Sequence, residues 1–387
     1  MRFSVLVLDS VGIGALSDAA EFGDEGSHTL KSCFSSGELV IPHLISLGMG
    51  CIEGNEFLPA VSSPLAAYGR MEEKSRGKDT TVGHWELAGL ISPKPLPTYP
   101  NGFPAELMQR FSEKVGRGWL CNRPASGTEV IRRYGEEHQE TGKLIVYTSG
   151  DSVFQIAAHE ETVPLEELYR ICRIAREMLT GEHAVGRVIA RPFRTDEAGE
   201  YYRTANRRDF SLEPWGLTLP EFLSSQGKKV VGVGKIQDIF ASRGIGESYH
   251  TDSNAHGLQT TVSLLKEDWE GLLFVNLVDF DSKFGHRNDA VGYARALSEL
   301  DSALPAVMEA MKEDDVLILC ADHGCDPCTP STDHSREYVP LLVYGKGVSP
   351  CALGTRSSFC DLAATVAWNL VGENPFPGTP FWGRRAQ

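Results

Sequence analysis

The sequence has 387 residues, of which 41% are hydrophobic and 23% charged. This length favours two domains, or one large domain with an insertion, and the composition excludes a disordered chain. The 37 basic and 52 acidic residues give a formal net charge of −15, which argues against nucleic acid or an anionic membrane as partner.

The chain opens with an apolar stretch, MRFSVLVLDSVGIGAL, that Asp9 interrupts. It predicts a buried strand rather than a signal peptide, and no run approaches transmembrane length. The nine cysteines are odd in number and mostly scattered, which suits reduced thiols better than a disulfide framework. We therefore expect a cytoplasmic protein.

Short apolar, β-branched runs recur along the chain and end in polar or glycine-rich segments. They lie at 3–9, 143–149, 228–234, 272–281, 315–324 and 339–345. With helical patterns between them, as at 292–313, they predict buried parallel strands of a three-layer α/β fold.

Two stretches have the composition of linkers. Residues 91–104 are rich in proline, and residues 194–215 are polar and rich in arginine. We therefore expect a discontinuous core domain, 1–94 with 213–387, and an inserted domain at 95–212.

Asp9 ends the first predicted strand and precedes Gly12 and Gly14. A carboxylate delivered into glycine-rich backbone suits a metal ion and a closely approaching phosphate. Taken alone, such an aspartate is more often a helix cap or a turn residue.

The segment GKDTTVGHWE, residues 77–86, lacks the upstream glycine of a phosphate-binding P-loop. Thr80 and Thr81 are candidate nucleophiles, because metal coordination lowers the pKa of a hydroxyl and aligns it for attack on phosphorus. A helix beginning here would also present free amides to a phosphate. A simple helix cap is the plainer interpretation, and it is compatible with catalysis.

The segment DFDSKFGH, residues 279–286, follows an apolar strand. Asp281 and His286 are candidate metal ligands, and Asp279 is a candidate acceptor that orients one of the ligands. The alternative is an Asx turn followed by a solvated histidine.

The last motif is Asp322-His323-Gly324, with His334 eleven positions after His323. A carboxylate and an imidazole at a strand end, followed by a turn-rich loop that returns a second imidazole, suit a metal site. The alternative is a capping aspartate beside surface histidines. Because ligands in α/β sheets bind beyond the carboxyl ends of strands, all of these motifs could meet at one edge.

Together these residues resemble the alkaline phosphatase superfamily and, within it, the phosphopentomutase family. The resemblance extends over almost the whole chain, through LDSVGIGA, GKDTTVGHWE, YTSGDSVFQIAAHE, GRVIARPF, GKIQDIF, VDFDSKFGHRND, ADHGCDP and STDHSRE. It implies an alkaline-phosphatase-like core with a mainly parallel sheet, an inserted α/β cap domain and two divalent ions, usually manganese. By this resemblance one ion is held by Asp9, Asp322, His323 and the nucleophile, and the other by Asp281, His286 and His334.

The resemblance also implies a nucleophile directly after the aspartate of GKDT, which is Thr80, with Thr81 as the fallback. The activity implied is the interconversion of ribose 1-phosphate and ribose 5-phosphate, or of their 2-deoxy forms, in nucleoside catabolism. It would proceed through a phosphothreonine enzyme and a bisphosphate intermediate, with a sugar bisphosphate as activator and no protein partner. The candidate contacts to substrate are Asp151, Arg191, Arg203 and Lys235.

Three alternatives stay open on sequence grounds. A cofactor-independent phosphoglycerate mutase usually has a serine nucleophile and a longer chain. A phosphatase or sulfatase of the same superfamily would transfer the group to water. A metal-stabilised binding protein without turnover would not need a hydroxyl beside so many ligand groups.

Overall fold

The computed structural model describes residues 1–383. These residues form two compact units: a large unit, Met1–Pro95 with the described residues from Pro214 onward, and a small unit, Leu96–Glu213. Among the described residues, no helix is both long enough and apolar enough to cross a membrane. All nine cysteines have free thiols.

The strands are short, and several of those in the large unit are mainly apolar. In chain order they are β1 (Arg2–Leu8), β2 (Ala67–Met71), β3 (Trp119–Pro124), β4 (Leu144–Thr148), β5 (Val153–His159), β6 (Arg187–Thr195), β7 (Tyr201–Arg203), β8 (Arg208–Ser211), β9 (Lys229–Val233), β10 (Glu247–Tyr249), β11 (Gly271–Leu277), β12 (Val316–Cys320), β13 (Val339–Tyr344) and β14 (Ala352–Arg356).

The α-helices lie between these strands or after the last of them. They are α1 (Thr29–Ser35), α2 (Pro42–Leu47), α3 (Thr80–Leu87), α4 (Ala105–Val115), α5 (Gly127–Thr141), α6 (Leu165–Met178), α7 (Leu219–Ser225), α8 (Ile236–Ile239), α9 (Asn254–Lys266), α10 (Ala290–Ala310) and α11 (Cys360–Val371). A π-helical turn, Phe280–Phe284, follows β11. The helix predicted at 292–313 is α10.

The large unit is built on an eight-stranded sheet in the order β10-β9-β11-β1-β12-β13-β2-β14. The first five strands of this order are parallel. Every residue of β1, β11 and β12 is buried, so both faces of the sheet are covered. The mixed α/β fold with a mainly parallel sheet is thus confirmed.

The direction of β13 differs from the prediction, because this strand is antiparallel to both β12 and β2. The chain leaves β12 at its carboxyl end and enters β13 from that same edge through the loop at 321–338. A buried apolar run looks alike in either direction, so the sequence pattern could not distinguish the two.

The central strand β1 lies between β11 and β12, with Val7 opposite both Asn276 and Cys320. The three strands therefore end at nearly the same level. Asp9 follows β1 directly, and the motifs beginning at Asp279 and Asp322 follow β11 and β12. Three of the four predicted motifs are placed at one edge of the sheet by this register.

The small unit contains a sheet in the order β3-β4-β5-β6-β7, with β8 also paired to β6. Apolar side chains on its two faces form two separate hydrophobic clusters. The run predicted as a strand at 143–149 is β4, which is parallel to β3 and antiparallel to β5.

Candidate metal centre

The first half of the site surrounds His323. Its Nε2 atom lies 3.4 Å from Asp9 Oδ1, 3.4 Å from Asp322 Oδ2 and 3.2 Å from Thr80 Oγ1. Asp9, Asp322 and His323 are all fully or almost fully buried. Three separate parts of the chain thus place oxygen atoms around one imidazole nitrogen.

The second half surrounds Asp281. One carboxylate oxygen lies 3.2 Å from His334 Nε2 and the other lies 3.3 Å from His286 Nε2. The two imidazole Nε2 atoms are 3.1 Å apart. The ligand atoms of Asp281, His286 and His334 all lie within 4.8 Å of one another, and the same holds for Asp9, Asp281 and His323. Asp281 therefore belongs to both groups, and the six predicted metal ligands form one continuous cluster.

The atoms of this cluster fit divalent metal ions. Asp9 Oδ1 and Asp281 Oδ1 are buried without a hydrogen-bond partner among the described residues. Buried polar atoms are nearly always paired in native proteins, so two orphaned carboxylate oxygens in one group of ligand residues indicate a bound cation. Mixed carboxylate and imidazole donors suit borderline to hard divalent metals.

Backbone carbonyls fix the histidine tautomers. His286 Nδ1 lies 2.7 Å from the Thr332 carbonyl oxygen, and His323 Nδ1 lies 3.0 Å from that of Gly324. Because a carbonyl can only accept, both Nδ1 atoms carry the proton. In the neutral imidazoles the lone pairs therefore lie on the Nε2 atoms, as metal ligation requires.

The charges of the cluster are strongly coupled. Burial, together with the nearby Asp322, raises the pKa of Asp9. Burial would also raise the pKa of Asp281, but His334 and His286 outweigh it and hold that pKa well below its usual range. Burial would lower the pKa of His323, but Asp322 and Asp9 raise it well above the ordinary value. Positive charge from the histidines thus stabilises the carboxylate of Asp281, whereas Asp9 lacks enough of it, and a bound metal ion would supply it.

Thr80 is the first residue of α3. Asp79 caps this helix, accepting hydrogen bonds from the amides of Thr81 and Val82 at 3.0 and 3.1 Å. The helix approaches Asp322 closely at Gly83, where a Cβ atom would lie 2.2 Å from the Asp322 carbonyl oxygen. The helix therefore holds the Thr80 hydroxyl beside the ligand cluster.

Two supporting residues were not predicted from the sequence. His84 Nδ1 lies 2.9 Å from Asp322 Oδ2, and Asn276 donates from Nδ2 to Asp9 Oδ2 at 2.8 Å. The signal for Asn276 was a lone amide inside the apolar run LLFVNL. The signal for His84 was its spacing of one helical turn from Thr80.

The contacts of Asp279 are with residues outside the ligand cluster, so its orienting role stays a prediction. Its Oδ2 atom accepts from the backbone amide of Asn254 at 2.9 Å and pairs with Lys283 Nζ at 3.1 Å. The histidines His286 and His323 are instead oriented by carbonyls. Asp279 thus differs from Asp281, two residues further along, which contacts His334 and His286.

The candidate substrate contacts fall into different places. In the small unit Arg191 and Arg203 line one cavity of about 200 Å³ together with Pro192, Thr204 and Arg207. Burial and the charge of Arg207 lower the pKa of Arg191. Asp151 lies in an exposed loop of the same unit, 3.7 Å from Arg187. Lys235 belongs to the large unit, where it precedes α8.

Comparison with known proteins agrees with this geometry. Residues 1–374 match the Metalloenzyme superfamily. The chain is 58% identical to a phosphopentomutase of Carboxydothermus hydrogenoformans, over 99% of this chain and 98% of that protein. It is 56% identical to a phosphopentomutase of Acetivibrio thermocellus, over 99% of each.

A solved structure, the PH0037 protein of Pyrococcus horikoshii, has the same fold, with a TM-score of 0.50. It is 16% identical, over 94% of this chain and 96% of that one. Fold and site together define a metal-binding enzyme with an alkaline-phosphatase-like core. Within that class the chain belongs to the phosphopentomutase family, whose members are intramolecular phosphotransferases.

Proposed function

We propose that this enzyme interconverts ribose 1-phosphate and ribose 5-phosphate, or the 2-deoxy forms, with Thr80 as nucleophile. The observation that carries the proposal is the 3.2 Å separation of Thr80 Oγ1 from His323 Nε2. This places a hydroxyl at the edge of a buried cluster of candidate metal ligands. Nucleophile and ligands in contact are what metal-assisted phosphoryl transfer requires.

Two divalent ions, which we take to be Mn²⁺, would complete the site. One set of ligands is Asp9, Asp322, His323 and Thr80, and the other is Asp281, His286 and His334. When bound, the ions lower the pKa of the Thr80 hydroxyl and stabilise the charge on the transferred group.

The resting enzyme carries a phosphate on Thr80. In the first transfer the bond between phosphorus and Thr80 Oγ1 breaks while a bond forms to the free hydroxyl of the sugar phosphate, whose proton leaves. The product is a ribose 1,5-bisphosphate. In the second transfer Thr80 Oγ1 takes the other phosphate, and the sugar oxygen released regains a proton. The enzyme is thus regenerated, and a sugar bisphosphate can act as activator by loading Thr80.

The arginine cavity of the small unit supports a phosphorylated substrate. Arg191, Arg203 and Arg207 converge on about 200 Å³, a volume that suits a phosphate-sized group. Guanidinium groups bind phosphate oxygens in pairs, and an anion relieves their mutual repulsion. We assign Asp151 to the sugar hydroxyls and Lys235 to a phosphate or sugar contact.

The remaining expectations belong to the same proposal. We assign the enzyme to the cytoplasm, which its free thiols support, and to nucleoside catabolism without a required protein partner. The two sets of metal ligands lie in one compact cluster. This supports a small-molecule site rather than a surface for nucleic acid or membrane.

The test is an assay of product identity. Purified enzyme is loaded with Mn²⁺, activated with ribose 1,5-bisphosphate and incubated with ribose 5-phosphate, and phosphorus NMR follows the products. Ribose 1-phosphate should accumulate to equilibrium with little inorganic phosphate. Inorganic phosphate as the main product would identify a phosphatase instead, and 3-phosphoglycerate serves as the control substrate for a phosphoglycerate mutase.

A further inference from the structure

The side chain of Arg336, two residues after His334, is buried and forms hydrogen bonds to several parts of the chain. It is 2% exposed, and its guanidinium donates to Asp18, Glu73 and Gly77. Nε and one terminal nitrogen bind the two carboxylate oxygens of Asp18, each at 3.1 Å. The other three N–H groups donate to a Glu73 carboxylate oxygen at 2.6 Å and to the carbonyls of Gly77 and Glu73 at 2.7 and 2.9 Å. All five donors of the guanidinium are therefore used.

Three of these bonds hold the segment that leads to the nucleophile. Gly77 is three residues before Thr80, and Glu73 lies at the start of the same connection from β2 to α3. The segment is also held at Lys78, whose Nζ atom binds both oxygens of Asp24 at 2.9 and 3.1 Å. Asp24 in turn accepts from the backbone amide of Arg336 at 2.9 Å. Both the side chain and the amide of Arg336 thus fix residues 73–78.

The arrangement needs an arginine. A planar guanidinium can bind both carboxylate oxygens of Asp18 from one edge. From its other edge it can bind Glu73 and Gly77 at the same time. A lysine at this position could neutralise Glu73 but, with three donors on one atom, could not reach all four acceptor groups.

We propose that Arg336 is a positioning residue for phosphoryl transfer, locking the approach to Thr80 onto the loop that carries the metal ligand His334. The inference rests on the proposed function. The physical basis is that one loop leads into the helix that begins with Thr80, another loop carries the metal ligand His334, and Arg336 forms hydrogen bonds between the two loops. A misplacement of the reacting oxygen by about 1 Å can reduce turnover on the order of 100-fold.

The chain supplies a matched control in Arg2. This side chain is also fully buried, and it binds the Asp315 carboxylate at 2.5 Å together with the carbonyls of Leu264, Leu265 and Glu267. It lies in β1 at the end opposite to Asp9. Loss of Arg2 should therefore resemble loss of Arg336 in stability, but not in catalysis.

The experiment compares Arg336→Lys with Arg2→Lys in the full-length, Mn²⁺-loaded enzyme. It measures thermal midpoint, metal content, kcat, KM and the fraction of Thr80 phosphorylated by ribose 1,5-bisphosphate. We expect both variants to lose thermal stability and to keep their metal. Arg336→Lys alone should lower kcat by about 10- to 100-fold and slow Thr80 loading, with KM changed by less than about threefold.

Chemical rescue separates positioning from general stability. Millimolar guanidinium should restore at least part of the kcat of Arg336→Ala, because it can refill the vacated cavity, and should not raise the kcat of Arg2→Ala. If Arg336→Ala does not fold, the kcat values of Arg336→Lys and Arg2→Lys alone test the positioning role.

Equal effects of the two lysine substitutions on kcat, or an Arg336→Lys enzyme that matches wild type, would overturn the inference. Loss of metal from Arg336→Lys in proportion to its loss of kcat would also overturn it. A wild-type enzyme that neither isomerises ribose 5-phosphate nor loads Thr80 would instead overturn the proposed function, and this inference with it.

Discussion

His84 Nδ1 lies 2.9 Å from a carboxylate oxygen of Asp322, and both side chains are fully buried. The same nitrogen is 2.9 Å from the carbonyl oxygen of Thr80, one helical turn earlier. A single imidazole thus touches the backbone of the proposed nucleophile and a proposed metal ligand. Asn276, whose Nδ2 atom lies 3.4 Å from His84 Nε2, supports Asp9 by donating a hydrogen bond to its carboxylate.

These two supporting residues give the first prediction. His84→Gln and Asn276→Ala should each weaken Mn²⁺ binding by about 10- to 100-fold, because partners that orient metal ligands typically contribute this much. Titration calorimetry on the chelator-stripped protein measures the affinity directly. The control is His43→Gln, since His43 also binds an aspartate, Asp301, at 2.9 Å but lies outside the ligand cluster. Equal Mn²⁺ affinities in all three variants would mean that His84 and Asn276 do not orient the metal ligands.

The second prediction concerns the ligands themselves. His334→Ala and Asp281→Asn should lower turnover by orders of magnitude and reduce metal content, while circular dichroism stays native, because a lost ligand affects metal occupancy more than core packing. Chelation of the wild-type enzyme should abolish turnover, and added Mn²⁺ should restore it. Elemental analysis gives the metal content. Full metal content with full turnover in either variant would exclude that residue as a ligand.

The third prediction tests the close approach of α3 to Asp322. In Gly83→Ala the new methyl group would meet the Asp322 carbonyl oxygen at 2.2 Å, so the helix must move away from the site. Turnover should fall by at least about tenfold, as expected when reacting groups are displaced. Gly347→Ala is the control, because a Cβ there has nothing within 4 Å. Similar turnover in both variants would show that the helix position is not critical.

The fourth prediction concerns pH and Glu337. This buried carboxylate accepts from the amides of Gly14 and Thr29 and from the hydroxyls of Thr29 and Ser335. Burial nevertheless raises its pKa from 4.5 to about 7. The native state therefore binds its proton more tightly than the unfolded state, and the associated stability is fully present below pH 4.5 and is lost as the pH rises through about 7.

In Glu337→Gln this pH-dependent loss of stability should be absent, because an amide does not titrate. Relative to wild type, the variant should gain stability from pH 5 to pH 8, by up to about 3 kcal/mol for a shift of this size. Thermal midpoints measured across this range give the difference, and Glu309→Gln, at an exposed position, is the control. A constant difference across the range would mean that Glu337 titrates normally.

The parts of the site that follow strand ends could be predicted from the sequence. Asp9, Asp281 and Asp322 each come soon after a buried apolar run, and parallel strands deliver their ends to one edge. The direction of β13 could not be predicted, because a buried strand has the same apolar pattern in either direction. The contacts of Asp279 and Arg336 depend on partners elsewhere in the chain, so local pattern gave no guide to them.

In the proposed reaction Thr80 carries the phosphate between the two positions of the sugar. The most direct measurement is peptide mass spectrometry of the Mn²⁺-loaded enzyme after incubation with ribose 1,5-bisphosphate, repeated with Thr80→Ala and Thr81→Ala. We predict phosphate on Thr80 in the wild type, none in Thr80→Ala together with loss of ribose 5-phosphate isomerisation, and near-normal loading in Thr81→Ala. Phosphate on Thr81, or an unphosphorylated enzyme that still isomerises ribose 5-phosphate, would contradict the account.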